Sequence, residues 1–210
     1  VLSDTPIEAG FLPPRTGTRF SALYGRTDSH YGGVAIGDTS LGIQYQLWSA
    51  IVNGPNIDLV APNTPQFTLL AGVNAEWGAL AFDQNARVFV AWCTAAGALS
   101  YYYFDTLTNQ YKISSVPTNP IYRCFAALDD ARPEESSIAD VLLAYVKPDG
   151  NLALRAQRDR YGAEYVLGAA PAVLVQIGMN RGNRFQFAFQ NVQGDAVLPP
   201  AEFTGANFNG

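Results

Sequence analysis

The sequence is poor in the side chains on which much enzyme chemistry depends. Its 210 residues include one histidine, two cysteines and one methionine. A zinc site built from four cysteine or histidine ligands is excluded by count alone. Two cysteines do not make a disulfide framework. Cys93 and Cys124 sit among apolar and aromatic neighbours, so they read as free, buried thiols. Histidine-dependent catalysis has only His30 to use. Charge is also scarce, at 15% of residues where a typical soluble domain has about a quarter. The 13 basic residues are outnumbered by 18 acidic ones, for a net charge of −5, and they form no basic run. Nucleic-acid binding is therefore not expected. No apolar stretch reaches the roughly 18 residues of a membrane-spanning helix. Val1-Leu2-Ser3-Asp4 has neither the basic nor the apolar region of a secretory leader, and none is expected. The chain carries no phosphate loop, dinucleotide fingerprint or calcium loop, so no cofactor is expected.

What the chain does have is glycine, proline and aromatic residues: 19 Gly, 13 Pro, 12 Phe, 11 Tyr and 3 Trp. Short apolar or alternating runs are separated by Gly, Pro, Asn and Asp, and no long helical period occurs. That pattern predicts an all-β fold. Strands are expected at Arg19–Tyr24, Gly33–Ile36, Gly42–Trp48, Asn56–Val60, Gln66–Ala71, Gly78–Phe82, Arg87–Cys93 and Ala98–Phe104. Others are expected at Tyr111–Val116, Ile121–Leu128, Asp140–Val146, Asn151–Ala156, Glu164–Leu167, Ala172–Ile177 and Arg184–Phe189. Asn53-Gly54-Pro55, Ala95-Ala96-Gly97 and Lys147-Pro148-Asp149-Gly150 read as hairpin turns.

These features recur. Val34-Ala35-Ile36, Val88–Trp92 and Val141–Tyr145 lie at intervals of 54 and 53, and each precedes a turn and a more polar strand. Pro65, Pro120 and Pro171 lead later strands, with Phe67, Tyr122 and Val173 at the same offset. The expectation is about three four-stranded, propeller-like repeats of some 53 residues, with a β-sandwich as the alternative. Three blades do not close a ring of the usual four to eight, so such a chain would complete itself against other subunits. One all-β repeat domain is expected over 19–192. Residues 1–18 and 193–210, rich in Pro and Gly, read as extended N- and C-terminal arms.

Several side-chain groups invite a functional reading. Asp28 and His30 share a turn, but no Gly-x-Ser-x-Gly elbow accompanies them. Asp129, Asp130, Glu134 and Glu135 form an acidic run, and Asp83 occupies the repeat position that matches Asp129. Paired acids could cleave a glycosidic bond, but three blades offer only part of a central channel, and the plainer reading is a solvated loop with a charge run. In Tyr101-Tyr102-Tyr103-Phe104, alternation sends Tyr101 and Tyr103 to one face and Tyr102 and Phe104 to the other. Both faces must be covered, by inter-sheet packing, a subunit or, together with Trp48 and Trp92, a sugar. Arg155, Arg158 and Arg160 flank Asp159 where a strand enters a turn, which suits an ionic contact within the structure or between subunits. Interface candidates are accordingly Tyr101, Tyr103, Arg155, Arg158 and Arg160. Phe11 and Leu12 in one arm and Phe203 and Phe208 in the other join them. No residue is assigned a catalytic, metal-binding or cofactor-binding role.

Three segments carry a resemblance: Asp129-Asp130-Ala131-Arg132, then Ala139–Tyr145, then Leu154–Tyr161 with Glu164-Tyr165. The string of acidic-basic turn, strand ending in Ala-Tyr, glycine turn and Arg-Gln-Arg-Asp-Arg run resembles repeat-containing virion proteins of tailed bacteriophages. The likeness covers about 40 residues well. It implies a structural virion component of a tail, tail tip or head-to-tail assembly, located in the virion. Such a part would be homo-oligomeric, would bind other virion proteins, and would not be an enzyme. A lectin-like propeller module for a host surface glycan or receptor is the alternative, and a glycan-processing hydrolase the second alternative.

Overall fold

A computed structural model describes residues 30–35, 46–61, 64–83, 87–117, 120, 124–128, 141–179, 185–191 and 193–198. The protein is all-β. Strands β1 (His30–Ala35), β2 (Gln46–Asn53), β3 (Asn56–Ala61) and β4 (Thr64–Leu70) form the first sheet. β5 (Ala75–Phe82), β6 (Val88–Thr94), β7 (Leu99–Asp105) and β8 (Gln110–Ser115) form the second. β9 (Phe125–Leu128), β10 (Val141–Val146), β11 (Asn151–Ala156) and β12 (Tyr165–Ala169) form the third. β13 (Val173–Met179), β14 (Phe185–Gln190) and β15 (Ala196–Val197) form the fourth. Each sheet is an antiparallel meander in chain order.

The sheets pack face to face in series. Ala50, Ile57 and Leu59 of the first sheet meet Leu80, Val90 and Trp92 of the second. Phe89, Ala91, Tyr101 and Tyr103 on the opposite face of the second sheet meet Val141, Leu143 and Tyr145 of the third. Leu142, Ala144 and Leu154 then meet Leu174, Phe187 and Phe189 of the fourth. The first strands run side by side, β1 beside β5, β5 beside β9 and β9 beside β13. This explains why Val88–Cys93 and Val141–Val146 are apolar without interruption: successive residues point to opposite faces, and both faces are covered.

The repeat is real, but its phase differs from the expectation. In every sheet the second strand carries an alanine followed by a larger apolar residue: Ala50-Ile51, Ala91-Trp92, Ala144-Tyr145 and Ala188-Phe189. In every sheet the hairpin after that strand turns on a glycine at positive φ, namely Gly54, Gly97, Gly150 and Gly194. Val88 and Val141 hold equivalent places on β6 and β10, whereas Val34 lies on β1, a first strand. Pro120 and Pro171 likewise precede first strands, whereas Pro65 is within β4. Apolar first and second strands look alike by periodicity, which allowed the slip by one strand. The expected arm over 193–210 begins too early, because Ala196–Val197 pairs with β14 and belongs to the fourth sheet. Arg19–Tyr24, the acidic run at 129–135, the N-terminal arm over 1–18 and residues 199–210 of the C-terminal arm lie outside the described residues.

Candidate functional site

The joint between the second and third sheets holds the densest set of polar groups. A single 3-10 turn, Gln157–Asp159, follows β11. Arg160 and Tyr161 then take up left-handed backbone, with φ of 52° and 59°. That reversal drives the Tyr161 ring into the second sheet, with its centroid 5.0 Å from Phe89 and 5.1 Å from both Tyr101 and Tyr103. Arg155 is buried at the base of this plug. Its Nε donates to Tyr145 Oη at 2.9 Å, and its Nη1 donates to the Tyr161 carbonyl at 2.6 Å and to that of Gly162 at 3.2 Å. Tyr145 Oη donates to Glu164 Oε2 at 2.5 Å. Arg155 Nη2 lies 3.4 Å from the same oxygen, and Lys147 Nζ lies 3.2 Å from Oε1.

Arg160 and Gln157 also tie the turn to the neighbouring sheet. Arg160 Nη2 donates to Asp105 Oδ2 at 2.6 Å, and Lys112 Nζ donates to the same oxygen at 2.5 Å. Gln157 Nε2 donates to Asp83 Oδ2 at 3.2 Å, and Arg87 Nε lies 2.7 Å from that oxygen. Hydrogen bonds from Lys112 and Arg160 hold the Asp105 carboxyl far below the ordinary carboxylate range. Burial works to raise that of Glu164, but the bonds from Tyr145 and Lys147 and the nearby cations outweigh it and lower it. Hydrogen bonds from Thr68, Asn53 and Gln66 lower Asp58 on the first sheet. Burial first, and then the Glu164 carboxylate, pushes the Tyr145 hydroxyl well up.

These directions set an acid limb of stability. Each depressed carboxyl binds its proton more readily in the unfolded chain than in the folded one. The stabilisation is therefore complete above the unfolded carboxyl value, about 4, and is lost as pH falls toward the folded values. The melting temperature is expected to hold level from neutral pH to about pH 5 and to fall below about pH 4. Asp105→Asn is expected to lower it at neutral pH and to make the acid limb shallower, as scanning calorimetry across pH would record. An acid limb parallel to that of the unmodified chain would show that Asp105 contributes none of it.

The sequence-derived candidates divide into three groups. Tyr101, Tyr103 and Arg155 are buried between two sheets of the same chain rather than on a free surface. Arg160 is exposed along its side chain and bound to Asp105, while Arg158 is exposed. Phe11, Leu12, Phe203 and Phe208 lie outside the described residues, as do Asp28, Asp129, Asp130, Glu134 and Glu135. His30 opens β1. Cys93 and Cys124 are free and buried in the joint of the second and third sheets. Burial, reinforced by the neighbouring Cys93 thiol, raises the Cys124 thiol well above its ordinary value. Sequence reasoning missed Asp105, Tyr145 and Tyr161. Their partners lie on different strands, and only Asp159-Arg160-Tyr161-Gly162, a turn-like string, hinted at the plug.

A second feature is the mouth of the joint between the first and second sheets. Trp48 and Phe67 on the first sheet face Phe82 and Tyr102 on the second, and Trp48 lies 6.3 Å from Phe67 and 6.4 Å from Phe82. Tyr102 and Tyr111 stack at 4.8 Å with 5° between their planes. Phe104 meets Tyr111 edge-on, and the Arg87 guanidinium sits 4.2 Å from the Phe104 ring centre. Among the described residues no three of His, Cys, Asp and Glu come together as a metal site, and no helix is long and apolar enough to cross a membrane. The chain matches no known family model and no curated protein sequence.

Proposed function

We propose that this chain is a non-catalytic structural subunit of a tailed-bacteriophage particle, in its tail, tail tip or head-to-tail region, that works through contacts with copies of itself and with other virion proteins. One observation carries the assembly part of this reading. The outermost strand of each four-stranded sheet bears exposed large apolar side chains: Phe67 on β4, Tyr111 and Ile113 on β8, and Val166 on β12. Edge strands of this kind invite pairing with another chain, and free proteins usually blunt them with charge. The exposed Ala188 and Gln190 on the outer face of the fourth sheet add a further open surface. The virion part rests on the sequence resemblance.

The two alternatives have less support. The tyrosines and Trp92 that a sugar site would use are largely spent on packing between sheets. Asp83, one of the acids a hydrolase would use, is held by Arg87 and Gln157. The test is mass spectrometry of density-purified particles from a host producing the phage that encodes the chain. The protein is expected at a fixed copy number per particle that survives a high-salt wash. Its absence from washed particles would contradict the virion reading.

A further inference from the structure

The outermost strands are not equally open to a partner. β4 carries Pro65, which has no N–H to offer, and its register with β3 breaks between Ile57 and Asp58 and again between Leu59 and Ala61. The register of β12 with β11 breaks between Leu152 and Ala153, and β15 is two residues long. Irregular register, proline and shortness are common means of keeping a sheet edge from pairing. Among the described residues β8 has none of them. Its six residues pair with β7 in unbroken register from Gln110 to Ser115. Its one charged residue, Lys112, is held by Asp105. On the same strand Tyr111 and Ile113 are 41% and 58% exposed.

The ladder also fixes which backbone groups this edge offers. Val116 N–H donates to the Leu99 carbonyl at 2.9 Å, so that pair is a bonded one. Bonded and non-bonded pairs alternate along an antiparallel ladder. Ser114 and Lys112 therefore bond inward to Tyr101 and Tyr103, and the N–H and C=O groups of Tyr111, Ile113 and Ser115 point away from β7. We propose that β8 pairs antiparallel with β8 of a second copy of this chain, about a two-fold axis at Ile113. The proposal deepens the assembly part of the reading above and rests on it. Self-complementarity selects a copy as the occupant. Ile113 falls opposite Ile113 of the partner subunit, and Tyr111 opposite the partner's Ser115. Every outward N–H and C=O of the three residues is then met, in about six hydrogen bonds. Tyr111 and Ile113 of both strands share one face of the joined sheet. Lys112 falls opposite the partner's Ser114. Moving the axis to Lys112 would set two lysines directly opposite one another, and like charges so placed destabilise a sheet.

The test is charge exchange at the axis, in the full chain, with the mass from light scattering as the readout. Ile113→Lys and Ile113→Glu each set two like charges opposite one another, and each alone is expected to show half the mass of the unmodified protein. Mixed in equal amounts, the two variants are expected to regain the full mass, because a lysine then faces a glutamate. Ser115→Pro removes an outward N–H, which both copies lose together, and is expected to weaken self-association about 30-fold. Slow reaction of the Cys93 and Cys124 thiols with a disulfide reagent reports an intact fold in each variant. Single variants that keep the full mass would overturn the β8 pairing and leave assembly itself standing. Single variants of half mass whose mixture does not recover would overturn the two-fold register. A monomeric unmodified chain at every concentration would overturn the assembly reading, and the pairing with it.

Discussion

Gly78→Ala is expected to be the most destabilising single-methyl change in the protein. A Cβ at this position would lie 2.0 Å from the Ala91 carbonyl oxygen and 3.0 Å from the Trp92 Cα. Both are backbone atoms of β6, so no side chain can rotate away. Gly78 pairs with Trp92 just beyond the irregular step between Ala75 and Trp77. To make room, β5 must lift off β6. That movement disturbs two cores at once, because Leu80 and Phe82 face the first sheet and Ala79 and Ala81 face the third. The cost is expected to be about 3 kcal/mol or more, a large part of the roughly 5–15 kcal/mol that holds a domain folded. Gly72→Ala is the control. It has φ of +71° but nothing within 4 Å of the added methyl, so it should cost only about 1 kcal/mol, for the left-handed backbone. Urea midpoints for the two variants give the comparison. Equal shifts would show that the close approach of β5 and β6 is not a constraint.

Tyr161→Ala is expected to cost about 3–5 kcal/mol, as for other large aromatic truncations in a core. The ring is surrounded by Phe89, Tyr101 and Tyr103. Its left-handed backbone fixes the direction of entry, so neighbouring groups cannot easily collapse into the space left behind. The same cluster contains Cys93 and Cys124. The variant should therefore also speed the reaction of both thiols with a disulfide reagent such as DTNB. Leu107→Ala, at the equivalent connection of the second sheet, should change stability by no more than about 0.5 kcal/mol, since the side chain is exposed. If both variants behaved alike, Tyr161 would not be the plug that joins the second and third sheets.

Much of the local structure was legible in the sequence. Alternation along Leu99–Asp105 predicts that Tyr101 and Tyr103 share one face and Tyr102 and Phe104 the other. Tyr101 and Tyr103 are indeed buried toward the third sheet, while Tyr102 and Phe104 are half-buried toward the first. The hairpin glycines at 54, 97 and 150 were legible because a tight turn needs positive φ. The fourth sheet was legible only in part: strands expected at Ala172–Ile177 and Arg184–Phe189 match β13 and β14, but the third strand was missed. Its third strand is two residues long and runs into Pro199-Pro200, so it looked like the start of an arm. Gly194, with φ of 91°, was the available signal. The bond from Arg160 to Asp105 spans 55 residues, and no local pattern encodes which acid an arginine reaches after the chain has folded back. The arginine cluster thus stood out by composition, but its partner became visible only once the sheets were stacked.

The central claim is that this protein works by joining to other subunits. Multi-angle light scattering of the purified protein over a dilution series tests it most directly. A defined oligomer whose mass holds through dilution is predicted, since the apolar side chains on β4, β8 and β12 would then be covered. A monomer at every concentration would contradict the account.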